Sequence, residues 1–209
     1  FRDLAFAVID EQHRFGVHQR LALQSKGNGG ANMLVMTATP IPRTLLMTHY
    51  GDLEVSRLPE KPAGRKPITT RKIPNASLEK LIARIRAQLA EGAQVYWVCP
   101  LIESSDVSDL AAAEERHAHL TQALGEGIGL LHGGMNATAK DATMAAFADG
   151  NLKVLVATTV IEVGVNVPNA NIMVIEHAER FGLAQLHQLR GRVGRGSRES
   201  FCMLLYQEP

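Results

Sequence analysis

The chain has 209 residues, of which 45% are hydrophobic and 21% charged, and its formal net charge is +1. This composition indicates an ordinary globular protein that can bury one or two cores, and the near-neutral total excludes a uniformly basic protein. The sequence contains no apolar run long enough to cross a bilayer and no signal-peptide pattern, so we expect a cytoplasmic protein. Cys99 and Cys202 lie far apart without a metal-ligand motif, which favours two free thiols in a reducing compartment.

Short apolar runs alternate with helical segments along the whole chain, which is typical of an α/β fold built on a parallel sheet covered on both faces. The strands are predicted at 4–9, 33–36, 68–73, 94–99, 127–131, 153–157, 171–176 and 200–206. The helices are predicted at 17–26, 42–49, 77–91, 108–124, 136–149 and 182–190. For helix 77–91 we expect Ser77 to be the N-cap and Gly92 the C-terminal stop.

A linker is predicted at 58–67, where three prolines and a glycine stand without apolar periodicity. The segment that follows has enough strands for a complete domain, whereas the segment before it has only two good strands. We therefore predict a partial first lobe with the linker at 1–64 and a complete second lobe at 65–209. Because Phe1 stands only a few residues before a buried strand, we also expect the chain to be a piece of a longer polypeptide.

The most informative motif is the string Q-x-x-G-R-x-G-R at 188–195. Arg192 and Arg195 are three positions apart, which predicts that they lie on one side of a helical turn, and the glycines leave the neighbouring backbone bare. A guanidinium pair of this kind suits the arginine-finger role on a nucleoside triphosphate. The five arginines of this stretch are also compatible with a solvated basic face or a nucleic-acid patch: Arg180, Arg190, Arg192, Arg195 and Arg198.

Polar residues follow the first two predicted strands. Asp10 is placed to hold Mg²⁺ through a water and Glu11 to act as a general base, although a helix N-terminus explains two acids equally well. His13 could report the nucleotide state to a facing domain, or be a buried structural histidine or a zinc ligand, but no second ligand stands at zinc spacing. The hydroxyls of Thr37 and Thr39 either link the nucleotide site to a DNA-facing loop or cap the next helix.

Two strands of the second lobe also end in small or polar residues, which favour contact with phosphates at the carboxyl edge of a sheet. These residues are His132, Gly133, Thr158 and Thr159. A structured loop is predicted after them, with Glu162, Gly164 and Asn166. Simple turn geometry explains the glycines equally well.

In chain order, the motifs D-E-x-H, T-A-T, H-G-G-M, T-T-x-x-E-x-G-V and Q-x-x-G-R-x-G-R resemble motifs II to VI of superfamily-two helicases. More narrowly, the strings at 10–17, 37–44, 50–53 and 62–68 resemble the RecG family of bacterial helicases for branched DNA. This resemblance implies RecA-like lobes, each a parallel sheet flanked by helices, that clamp ATP and Mg²⁺ and pull the duplex arms of stalled forks or Holliday junctions. It also implies a role in recombination and repair at the bacterial nucleoid.

The resemblance further implies roles for individual residues. Asp10 and Glu11 would handle Mg²⁺ and water, and Arg195 would be the finger. Gln188 and Arg192 would act beside Arg195 from the second lobe. Coupling to DNA, mainly through phosphate contacts, is implied for His13, Thr37, Thr39, His132, Gly133, Thr158, Thr159 and Glu162. Nucleotide contact is implied for Gly164 and Asn166.

The chain departs from the family pattern in three ways. It contains no G-x-x-x-x-G-K-[ST] phosphate loop and no wedge domain that reads branched DNA, and it stops at Pro209, before the region that follows motif VI. In addition, Asn166 stands where the family usually has an aspartate. We therefore expect partners in the rest of the parent polypeptide, and no measurable ATP hydrolysis by the isolated chain in a steady-state assay with forked DNA. Two alternatives remain open, an Mfd-like transcription-repair translocase and an inactive RecA-like module that binds nucleic acid or a protein.

Overall fold

The computed structural model describes residues 3–11, 15–26, 30–37, 54–60, 65–100, 106–158 and 167–208. Two compact units divide the chain, Phe1–Leu58 and Pro59–Pro209. The predicted helix 42–49 lies outside the described residues. No helix in the described part of the chain combines the length and the apolar character needed to span a membrane.

The first unit contains a two-stranded parallel sheet and one helix: β1 (Phe6–Ile9), α1 (Val17–Gln24) and β2 (Asn32–Val35). Val8 pairs with Leu34, so both side chains lie on the same face, together with Phe6 two residues earlier. These three side chains are 47–56% exposed. The prediction that the strands are buried on both faces is therefore wrong for this unit as described, because apolar composition alone does not show which face another element covers.

The second unit is an α/β domain around a six-stranded parallel sheet with the order β3-β8-β7-β4-β6-β5. Its strands are β3 (Ile68–Pro74), β4 (Gln94–Val98), β5 (Ile128–Leu131), β6 (Val154–Ala157), β7 (Ala170–Ile175) and β8 (Ser200–Tyr206). Its helices are α2 (Leu78–Ala90), α3 (Asp106–Leu124), α4 (Ala137–Ala148) and α5 (Leu183–Arg190). The predicted α/β class and these element positions are confirmed to within two residues.

Helices cover both faces of this sheet and form two cores. Alternate residues of β4 belong to different cores. Tyr96 lies in the core that includes Phe147 of α4 and Leu189 of α5. Trp97 lies in the core that includes Ile85 of α2 and Leu120 of α3. The strands β4, β6 and β7 are buried along their whole length, which explains their largely apolar sequence; the two buried polar residues in them are Gln94 and Asn171. The strand β3 is an edge and mostly exposed, so the expectation of two covered faces is wrong there.

The predicted ends of α2 are only partly correct. Ser77 is the N-cap, but its side chain makes no capping hydrogen bond, because a 3₁₀ turn over Asn75–Ser77 leads into the helix. Gly92 has a φ of +83°, the left-handed conformation that ends a helix without the steric cost of a Cβ atom. The stop signal is therefore confirmed.

Candidate functional site

Two of the predicted phosphate-facing segments lie side by side at the carboxyl edge of the second unit. His132 follows β5 and Thr158 follows β6, and these strands are neighbours with Leu131 paired to Ala157. The backbone N–H of Thr158 donates to the carbonyl of Leu131 at 3.2 Å. Thr158 is buried, and its hydroxyl has no hydrogen-bond partner among the described residues.

The segment after β5 is held in place by α4. Lys140 donates from Nζ to the carbonyl of Gly133 at 2.8 Å, and Asn136 caps the helix by accepting from the Ala139 N–H at 2.8 Å. Further predicted site residues lie outside the described part of the chain: His13, Thr39, Thr159, Glu162, Gly164 and Asn166. Their roles stay predictions.

In the first unit, Asp10 and Thr37 end the two paired strands on the same edge. Met36 donates its N–H to the carbonyl of Ile9 at 2.8 Å, which keeps the strand ends together. Asp10 is exposed and its Oδ1 accepts from the Glu11 N–H at 2.8 Å, while Glu11 has a φ of +48°. Since α1 begins only at Val17, the two acids are not in its first turn. Residues 12–14 lie outside the described part of the chain, so the interpretation as a plain helix N-terminus stays a prediction.

The string at 188–195 does not continue as a helix. Gln188 lies on α5, but the helix ends at Arg190 with Gly191 as its C-cap, and Gly194 follows with a φ of +78°. Arg192 and Arg195 therefore lie in a loop, here called the arginine loop (residues 191–196). The prediction that both arginines share one helical turn is wrong, because the glycines turn the chain away from the helix axis.

The arginine loop is fixed by close backbone contacts on both sides of Arg195. A Cβ atom on Gly194 would lie 3.0 Å from Cγ1 of Ile68, and one on Gly196 would lie 2.4 Å from the carbonyl oxygen of Pro168. Real side chains do not approach a backbone oxygen this closely, so glycine is required at the second position. The loop thus lies against the start of β3 and the turn before β7, a placement that holds the backbone of Arg195.

Positive charge accumulates beside this loop. Burial lowers the pKa of Arg195, and the positive charges of Arg192 and Arg65 lower it further. The Nε of Arg195 is buried and has no hydrogen-bond partner among the described residues. Burial raises the pKa of Tyr96 to about 12, although Arg192 and Arg195 act in the opposite direction, so this phenol is neutral at pH 7. The region therefore presents guanidinium groups without a nearby phenolate to neutralise them.

One polar network was not predicted from the sequence. Glu176 directly follows β7 and is only 7% exposed; its carboxylate accepts hydrogen bonds from Nε1 of Trp97 on β4 and from Arg116 on α3. The second contact of the arginine joins its Nη2 to Oε2 at 3.1 Å, and its guanidinium lies 5.9 Å from the centroid of the Trp97 ring. The signal in the sequence is an acid at the end of an otherwise apolar run, which strand prediction treats as a boundary.

The network extends to α2 through His119. Nη1 of Arg116 can only donate, so Nδ1 of His119 accepts this bond at 2.8 Å and the ring proton lies on Nε2. That nitrogen lies 3.3 Å from Oε1 of Glu79. A cavity of about 300 Å³ lies above the network, lined in part by Cys99, Arg116, His119, Glu176, His177 and Arg180.

Both cysteines are free and buried, as the sequence indicates. Burial, and then the carboxylate of Glu176, raise the pKa of the Cys99 thiol. Burial raises the pKa of Cys202 to about 11. Both thiols are therefore protonated at neutral pH, which makes them poor nucleophiles.

The sequence model of the helicase conserved C-terminal domain matches residues 75–197. The chain belongs to the helicase conserved C-terminal domain family. The matched range contains β4 to β7 and the arginine loop, whereas Asp10 and Arg65 lie outside it. The helicase C-terminal domain thus accounts for most of the second unit.

Within helicases, the chain is specifically similar to RecG proteins. The chain is 56% identical over 210 residues to the ATP-dependent DNA helicase RecG of Acidithiobacillus ferridurans, an alignment that covers 100% of this chain and 31% of that protein. A structure of RecG bound to a three-way DNA junction matches with a TM-score of 0.78 and 42% identity, covering 100% of this chain and 27% of that one. The predicted resemblance to RecG is confirmed, and the chain spans about a third of the length of this relative.

The fold extends to more distant helicase C-terminal domains. S. cerevisiae Dbp5 bound to RNA and ADP BeF3 matches with a TM-score of 0.71 at 15% identity, covering 100% of this chain and 55% of that one. A likeness at this identity concerns the fold alone. Together with the parallel sheet of the second unit, it confirms the predicted RecA-like architecture.

Proposed function

We propose that this chain is the motor segment of a longer RecG-type polypeptide, here called the full-length protein, that hydrolyses ATP to move branched DNA in the bacterial nucleoid. The observation that carries the proposal is the arginine loop, in which two close glycine contacts hold the backbone of Arg195. Its support is the 56% identity to RecG, of which the chain spans 31%. The phosphate loop and the wedge domain would come from other parts of the full-length protein.

The side chains needed for triphosphate hydrolysis are present apart from the phosphate loop. Arg195 and Arg192 would stabilise the charge that develops on the transferred phosphoryl group, and Gln188 would support them from α5. Glu11 would accept the proton of the attacking water.

Asp10 is suited to Mg²⁺. Its carboxylate is exposed at the end of β1, and one oxygen is oriented by the Glu11 N–H. The described residues contain no cluster of three metal-binding side chains, and Mg²⁺ characteristically takes one or two carboxylates and completes its shell with phosphate oxygens and water. When bound, Mg²⁺ neutralises charge on the β- and γ-phosphates.

DNA contacts are proposed at the carboxyl edge of the second unit, where His132, Gly133 and Thr158 lie together. Backbone amides would contact phosphate without reading sequence, as a translocating motor requires, and the buried Thr158 would couple this surface to the nucleotide. Coupling to DNA is also proposed for Thr159 and Glu162, and nucleotide contact for Gly164 and Asn166. In the first unit Thr37, Thr39 and His13 would couple nucleotide state to DNA.

Replacing Glu11 with glutamine in the full-length protein tests this function. We expect ATP turnover stimulated by a three-way junction to fall about 10²-fold, because the amide cannot act as a general base. ATP affinity, measured with a fluorescent nucleotide, should change little. Glu60→Gln, at an exposed acid of the same chain, is the matched control and should retain turnover.

Three results would contradict the proposal or part of it. Absence of junction-stimulated turnover in the unmodified full-length protein would favour the inactive RecA-like module. Equal turnover in the Glu11→Gln variant would remove the general base from the mechanism. Stimulation by linear duplex but not by a three-way junction would contradict the branched-DNA specificity.

A further inference from the structure

The end of the linker lies beside the arginine loop. Ile68, the first residue of β3, packs against Gly194 closely enough to exclude a Cβ atom there, and it pairs in register with Ser200 at the start of β8. Arg65 stands three residues before Ile68 and is exposed. The chain therefore brings a third arginine to the loop that carries Arg192 and Arg195.

The charges of these arginines interact unfavourably in the absence of a ligand. Burial lowers the pKa of Arg195, and Arg192 and Arg65 lower it further by like-charge repulsion. Within the described part of the chain, neither Arg65 nor Arg195 forms an ion pair with a carboxylate. Guanidinium groups clustered in this way favour a ligand of high negative charge density, because several guanidinium groups can donate hydrogen bonds to such a ligand at once.

We propose that Arg65 is a third phosphate-binding arginine, which contacts the terminal phosphates of the nucleoside triphosphate together with Arg192 and Arg195. The inference rests on the proposed function and adds to it a residue from the linker. Arg65 lies ten residues before the range matched by the helicase C-terminal domain, so the motif that contains Arg192 and Arg195 does not predict it. A triphosphate bound here would relieve the repulsion and restrain the start of β3.

The test is Arg65→Gln in the full-length protein, with turnover measured against ATP concentration. We expect kcat/KM for ATP to fall about tenfold, since one charge-assisted hydrogen bond is lost. Arg65→Lys should recover part of the loss because it keeps the charge but not the planar fork. Arg71→Gln, at an exposed arginine of β3, is the matched control and should leave kcat/KM unchanged.

A second measurement uses the 209-residue chain and inorganic tripolyphosphate in calorimetric titration. We expect Arg65→Gln to weaken tripolyphosphate binding about tenfold, with Arg71→Gln again unchanged. Binding of a labelled three-way junction by the full-length protein without nucleotide should be the same for both variants. These readouts separate a triphosphate contact from a DNA phosphate contact.

Three results would overturn the inference or its basis. If Arg65→Gln leaves kcat/KM and tripolyphosphate binding intact while Arg195→Ala abolishes turnover, Arg65 is not a ligand and the proposed function stands. If Arg65→Gln weakens only junction binding, the cluster serves DNA. If neither Arg65→Gln nor Arg195→Ala affects ATP turnover, the proposed function itself fails.

Discussion

Replacing Arg195 with alanine in the full-length protein is expected to lower ATP turnover by about 10³-fold while leaving ATP binding nearly intact. The backbone of Arg195 is held in place, because the glycines on both sides of it contact Ile68 and Pro168. Its Nε is already buried without a partner among the described residues, so little desolvation remains to oppose contact with a phosphoryl group. Single-turnover kinetics and nucleotide titration measure the two quantities separately.

The control for this variant is Arg198→Ala. Arg198 lies three residues beyond Arg195 and is exposed, and it donates to the carbonyl of Glu91 at 3.0 Å. Loss of such a surface contact changes stability by about 0.5 kcal/mol, so turnover should stay within about twofold. Unchanged turnover in Arg195→Ala, or an equal loss in both variants, would refute the finger assignment.

Replacing Glu176 with alanine is expected to destabilise the second unit by about 3 kcal/mol. The change leaves the Arg116 guanidinium, 19% exposed, and the buried N–H of Trp97 without their acceptor. The cost belongs to the lower part of the range for a broken buried pair, because water can reach part of the arginine. Urea unfolding of the 209-residue chain measures it, with fluorescence of Trp97, the single tryptophan, checked by circular dichroism.

A double variant separates charge from packing. When Arg116→Met is combined with Glu176→Leu, neither uncompensated charge remains, so the chain should be more stable than the Glu176→Ala variant. Glu176→Gln keeps an acceptor for the Trp97 N–H, so the free energy of unfolding of this variant should lie between those of the unmodified chain and of Glu176→Ala. If Glu176→Ala unfolds at the same urea concentration as the unmodified chain, the network has no role in stability.

The sequence was sufficient where local pattern and burial agree. The strands β4, β6 and β7 are central, so their largely apolar composition matches their environment, and each was predicted to within one residue. The same rule was wrong for β3 and for Phe6 and Val8, whose apolar or β-forming sequence does not reveal whether a second layer covers them. Whether a strand lies at the edge of a sheet depends on the order of the strands, and hydrophobic periodicity in the sequence does not give that order.

The candidate site divides in the same way. Chain order and residue type identified Asp10, Glu11, His132, Thr158 and Arg195 as candidates, because such residues follow strand ends or stand in a recognisable string. Their geometry was not predicted. The prediction placed Arg192 and Arg195 on one helical turn with bare glycine backbone beside them, and only the contacts with Ile68 and Pro168 show why glycine is needed at 194 and 196.

The amino-acid sequence alone determined the α/β class, the order of elements and the helicase resemblance, since these depend on local composition and on motifs that are contiguous in the chain. Tertiary structure alone decided that Ile68, three residues after Arg65, lies against the arginine loop and that Glu176 joins Trp97 to Arg116. These partners are separated by 60 or more residues, and a contact of that kind depends on how strands β3, β4, β7 and β8 are arranged in the sheet. Electrostatic attraction and repulsion depend on the distance between charges in space, so these interactions can be identified only when the fold shows where the charges lie.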